Sequence, residues 1–120
     1  MAMNVIAVVR DLFFVARLRE TARLVGTRLS FARTPEEIAA LTPATSEPAD
    51  LAIVDLTTDG WDYDAIFAAL DAAPAVPVLG FTTHALARTT QPLHARCRRV
   101  VTKETLTREL PELLQRGLAA

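Results

Sequence analysis

The sequence predicts an α/β fold, a doubly wound parallel sheet of five strands in (βα)5 order with helices on both faces, and three observations predict it. Five short apolar runs alternate with stretches of helical period, giving the order βαβαβαβαβα. The central run "LAIVD" (51–55) is apolar without alternation, the pattern of a strand covered on both sides. The units are of crossover length, and no repeat, linker or low-complexity segment interrupts them.

Each element has its own signal. "MNVIAVV" (3–9) is a short apolar strand. "DLFFVARLRETARLVG" (11–26) places Phe14, Leu18, Ala22 and Val25 on one helical face, with Asp11 as N-cap and Gly26 as the stop. "RLSFA" (28–32) alternates like a strand. "TPEEIAAL" (34–41) opens with Thr34 as cap, Pro35 at the first helical position and Glu37 completing a capping box. Residues 42–50 read as a loop. After the strand ending at Asp55, "YDAIFAALDAA" (63–73) is a helix with Ile66, Leu70 and Ala73 as inward positions. "VPVLGF" (76–81) is the fourth strand. "HALARTTQPLHAR" (84–96) is helical in composition, but Pro92 inside it predicts a kink or two short pieces. "RRVVT" (98–102) is the fifth strand. "TRELPELLQRGL" (107–118) is the last helix, with Thr107 as cap so that Pro111 falls near its start.

The 120 residues are expected to form one domain, 1–120, with a single core. A net charge of −1 argues against a nucleic-acid surface. No apolar run is long enough to span a membrane, and "MAMNVIAVVR" reads as a first strand rather than a signal peptide, so no membrane partner and a cytoplasmic location are expected. Cys97 is alone, which excludes a disulfide framework and a cysteine metal cluster. His84 and His94 are not at metal-ligand spacing and read as a loop and a helix-surface residue. No P-loop, Gly-rich dinucleotide turn, G-x-S-x-G, H-E-x-x-H or Cys–His nucleophile is present, so the chain is not expected to be an enzyme.

Sites in open parallel sheets form at the carboxyl ends of the strands, beside the point where strand order reverses. In the order 2-1-3-4-5 that point lies between strands 1 and 3. Asp11 follows strand 1, Asp55 ends strand 3, Thr82 and Thr83 follow strand 4 and Lys103 follows strand 5. Every candidate polar group falls at one edge. Lys103 is also the single lysine among thirteen basic residues.

This constellation resembles the receiver domain of bacterial two-component response regulators, the chemotaxis-type, flavodoxin-like fold, over essentially the whole chain. "VVRDL" matches the position of the acidic pair after strand 1, "IVDL" the phosphoacceptor, "VPVLGFTTH" the strand-4 hydroxyl and "VVTKE" the lysine. The resemblance implies Asp55 as phosphoacceptor, with Thr82, Lys103 and Arg10 around the phosphoryl group. It also implies a Mg²⁺ site from Asp11, Asp55 and the carbonyl of Thr57, and an ion-pair or single-water contact between Lys103 and Asp55. Partners would be a histidine kinase or a downstream signalling protein. A homodimer would use the fourth helix, fifth strand and fifth helix, or the first helix through Leu12 and Phe13.

The sequence also departs from the pattern. Arg10 takes the place of the first acid, Val100 that of the switch aromatic, Glu104 that of a proline after the lysine and Arg96 that of a glycine ending helix 4. An atypical or pseudo-receiver is expected, a stand-alone interaction module with phosphorylation weakened or absent and weak Mg²⁺ binding; the alternative is a competent phosphorelay receiver. If Arg10 points inward it pairs with Asp11 or Asp55 and replaces the metal; if outward, metal binding survives with one carboxylate fewer. Thr83 rivals Thr82 for the hydroxyl role. Trp61 is either an exposed recognition aromatic or packed over the sheet edge, and Cys97 is a small buried hydrophobe.

Overall fold

The computed structural model describes residues 3–44, 48–72 and 76–119. The strands are β1 (Asn4–Val8), β2 (Arg28–Phe31), β3 (Leu51–Asp55), β4 (Val78–Thr82) and β5 (Arg99–Thr102). All pair in parallel, in the order β2-β1-β3-β4-β5. The helices are α1 (Leu12–Val25), α2 (Pro35–Ala44), α3 (Tyr63–Asp71), α4 (Gln91–His94) and α5 (Lys103–Arg116), followed by a 3₁₀ turn over Gly117–Ala119. The α/β class and the strand order are those expected.

Alternation along the strands divides the core into two layers. Val5, Ala7, Leu51, Ile53, Leu79 and Phe81 meet Phe14, Leu18 and Ala22 of α1 and the four buried leucines of α5. Ile6, Val8, Ala52, Val54 and Val78 meet Ile38 of α2 and Ile66, Phe67 and Leu70 of α3. All five residues of β3 and of β4 are buried, which is why those strands read as unbroken apolar runs. Ala73 lies outside the described residues.

Three helices differ from the expected limits. Helix α2 runs on through Thr42, Pro43 and Ala44, an end-of-helix difference of a few residues. Helix α5 begins five residues early, because Thr102 rather than Thr107 is its N-cap and accepts the Thr105 N–H at 3.2 Å. Pro111 is therefore inside the helix, and Lys103 becomes its first residue, directly at the end of β5. Helix α4 shrinks to a single turn. Pro92 has no N–H for the Arg88 carbonyl; Gln91 donates there instead at 3.2 Å and Leu93 reaches Thr90 at 2.9 Å, so residues 84–90 form turns.

The α4–β5 connection is held from below. The Arg96 guanidinium lies 4.9 Å from the ring centroid of buried Phe67 and pairs with Asp64 (3.4 Å) and Asp71 (3.7 Å) of α3. Arg96→Ala is expected to lower stability by about 1 kcal/mol, the usual worth of a partly exposed cation–π contact; urea unfolding checks it, and an unchanged midpoint would show that the arginine is only solvated. Cys97 is half-buried against the same layer, and burial pushes its thiol up to about 11, so it is a packing residue without thiolate character.

Candidate functional site

Parallel register brings the strand ends to one edge: Val8 pairs with Val54, Asp55 with Phe81 and Thr82 with Thr102. Asp11, Asp55, Thr82 and Lys103 are all delivered there. Asp55 is 8% exposed at the end of a strand buried along its whole length. Its Oδ1 accepts the Thr57 N–H at 2.9 Å and the Thr57 hydroxyl at 2.6 Å, which ties the carboxylate to its own loop. No described residue binds Oδ2, and among the described residues no buried side-chain oxygen lacks a partner. Oδ2 therefore faces solvent and is the oxygen open to chemistry.

The loop after Asp55 is fixed by a residue that the sequence reading placed only as a helix start. The Tyr63 hydroxyl donates to the Asp55 carbonyl at 2.7 Å and accepts the Thr58 N–H at 3.0 Å. Burial pushes its phenol pKa upward, which keeps it a neutral donor. Its ring stands edge-on to Trp61 at 6.1 Å, so Trp61 is half-buried and packed, the second of its two readings.

Asp11 does two jobs. Oδ1 caps α1, accepting the N–H groups of Phe13 (2.9 Å) and Phe14 (3.4 Å), and Oδ2 lies 3.3 Å from Lys103 Nζ. Desolvation pushes its carboxyl upward, but the lysine and the two amides outweigh it and hold the pKa below the usual value. Lys103 rests 5.0 Å from the Phe14 ring centroid, and Phe14 packs on Phe81 at 5.0 Å. The ion pair of Lys103 is thus with Asp11; among the described residues Asp55 has none. Arg10 is exposed and its guanidinium pairs with no described residue.

Thr82 is buried, and its oxygen accepts the Thr90 hydroxyl at 3.0 Å. Thr83, its rival in register, caps the next turn by accepting the Leu86 N–H at 3.2 Å. Neither Thr90 nor His94 was legible as part of the site, because what joins them to Thr82 is tertiary contact and not spacing. A cleft of about 230 Å³ lies beside Asp55 between the two loops, lined by Thr57, Thr58, Tyr63, Thr90 and Leu93 among others.

Two carboxylates and a backbone carbonyl are hard oxygen donors of the kind Mg²⁺ takes. The donor set here is sparse: no cluster of three His, Cys, Asp or Glu occurs among the described residues. Asp55 Oδ2 is open, whereas both oxygens of Asp11 are engaged. The residues fit the ion only where it shares or takes Oδ2 of Asp11 from Lys103.

No protein-family model matches the chain, and no curated protein matches it by sequence. Solved structures do. The receiver domain of sensor histidine kinase PA1611 from Pseudomonas aeruginosa PAO1, described with a magnesium ion coordinated in its active-site cleft, matches over 100% of both chains at 18% identity and a TM-score of 0.74. A response regulator receiver protein from Burkholderia phymatum matches over 98% of each chain at 26% identity and 0.72. Chemotaxis response regulator CheY4 of Vibrio cholerae matches over 94% of this chain and 99% of its own at 21% identity and 0.69. The fold of this chain is that of response-regulator receiver domains.

Proposed function

We propose that residues 1–120 act as an atypical receiver module in cytoplasmic two-component signalling, one that works by docking a protein partner while phosphorylation of Asp55 is weakened or absent. The observation that carries this reading is the state of Asp11. It is the one acid left of the pair that the resemblance implies, and it is already occupied by the α1 amides and Lys103. Arg10, in the other position, is exposed and supplies no carboxylate. Metal recruitment therefore starts from one open carboxylate oxygen.

The partner, a histidine kinase or a downstream protein, would meet α1, where Leu12, Phe13 and Leu24 are 70%, 91% and 68% exposed. A one-turn α4 offers little to the homodimer face that the resemblance implies.

A competent phosphoacceptor is the second reading, and the open Oδ2 of Asp55 favours it. Acetyl phosphate with Mg²⁺, followed by intact-mass spectrometry, separates the two. Slow, substoichiometric addition of one phosphoryl group, lost in Asp55→Asn, is the expected result. Rapid stoichiometric addition would establish the second reading instead.

A further inference from the structure

The Thr90 side chain is spent in an unexpected way. It is the N-cap of α4, yet its hydroxyl makes no capping bond. It is 4% exposed, and its oxygen lies 3.0 Å from Thr82 Oγ1, 2.9 Å from His94 Nε2 and 3.3 Å from the Ala87 carbonyl. Three side chains thus form a hydrogen-bonded chain from the end of β4, beside Asp55, to the half-buried imidazole on α4.

Each threonine has one proton, so the chain has a direction. When Nε2 carries hydrogen it donates to Thr90. Thr90 then donates to Thr82, the nearer of its remaining acceptors, and the Thr82 proton is free to point into the pocket. When Nε2 is bare, Thr90 donates to it and Thr82 donates to Thr90. Thr82 then turns only lone pairs toward the pocket. Phosphoryl oxygens are acceptors, so only the first direction helps to hold one.

We propose that Thr90 and His94 are positioning residues that set the direction of the Thr82 hydroxyl, so that phosphoryl binding at Asp55 and hydrogen on His94 Nε2 favour one another. The inference rests on Asp55 accepting a phosphoryl group, at whatever rate. It makes the single turn of α4 the element that senses the pocket, in a chain where Val100 has no ring or hydroxyl to do so.

The test uses the whole chain uniformly labelled with ¹⁵N, and Mg²⁺ with beryllofluoride as a phosphoryl mimic. The Thr57 amide reports occupation of Asp55, and the imidazole nitrogens of His94 report the relay. Expected is a movement of both in the native protein, with His94 Nε2 moving toward its hydrogen-bearing form. Thr90→Val should keep the Thr57 response and lose the His94 response, because no hydroxyl then links Thr82 to the imidazole. Thr90→Ser should restore the His94 response, which a merely structural role for the threonine methyl would not. If Thr57 responds while His94 does not in the native protein, or His94 still responds in Thr90→Val, the relay is overturned and the receiver chemistry stands. If Thr57 does not respond at saturating beryllofluoride and acetyl phosphate adds no phosphoryl group, the phosphoacceptor chemistry fails and the relay fails with it.

Discussion

Gly80→Ala is expected to destabilise the protein by about 1–3 kcal/mol, the cost of forcing one extra carbon into a packed core. Gly80 is the middle residue of β4, and its backbone is in no special conformation; the constraint is space. A Cβ there would stand 2.7 Å from Cys97 Sγ and 2.9 Å from Leu56 Cδ1, both inside van der Waals contact. The sheet cannot retreat, because β4 is bonded on one side to β3 and on the other to β5. The α4–β5 connection must move instead, which strains the Arg96–Phe67 contact beneath it. Urea unfolding should show a lower midpoint at an unchanged slope. Cys97→Ala removes the nearer obstacle, so the double variant should recover at least about 0.5 kcal/mol relative to the sum of the single losses. Losses that merely add would show that the sulfur is not what excludes the methyl.

The fold was legible because burial on both faces leaves a continuous apolar run, and such runs at crossover spacing admit few topologies. Asp11 as a cap and Gly26 as a stop were legible for the same reason: each satisfies a local backbone need, and Gly26 does sit at φ 76° with its N–H donating to the Ala22 carbonyl. The start of α5 was not legible, because Thr102 and Thr107 are both good caps and only the end of β5 chooses between them. At the site, the edge was readable and the pairing was not. Strand order carries Asp11, Asp55, Thr82 and Lys103 to one rim, but which carboxylate a flexible lysine takes depends on the Phe14 ring under its ammonium. Tyr63, Thr90 and His94 gave no signal, since each acts through a contact made only after folding.

Lys103→Gln is expected to move two measured quantities in opposite directions. On the proposed function, Lys103 competes with Mg²⁺ for Oδ2 of Asp11 and also supplies the cation that phosphoryl oxygens would meet. Removing the ammonium frees the carboxylate. The pair is about two-fifths exposed on each side, so its strength is that of a surface ion pair, and the gain in Mg²⁺ affinity should be about two- to fivefold. That gain should shrink as ionic strength rises. Phosphoryl incorporation should fall about 10- to 100-fold, because a charged donor is lost from the pocket. Trp61 fluorescence reports the Mg²⁺ titration, since Trp61 packs on the tyrosine that holds the Asp55 loop. Acid unfolding supplies an independent check. The Asp11 carboxyl is held below its usual pKa, so its contribution to stability is present above that usual value and is lost as pH falls through the lowered one. Without Lys103 the contribution should be smaller and its loss complete at higher pH, with the α1 amides retaining part of the effect. Arg10→Gln, by contrast, should leave both the acid limb and Mg²⁺ affinity close to native, because its guanidinium pairs with no described residue. A large rise in Mg²⁺ affinity from Arg10→Gln, with none from Lys103→Gln, would reverse the assignment and make Arg10 the cation that guards the pocket.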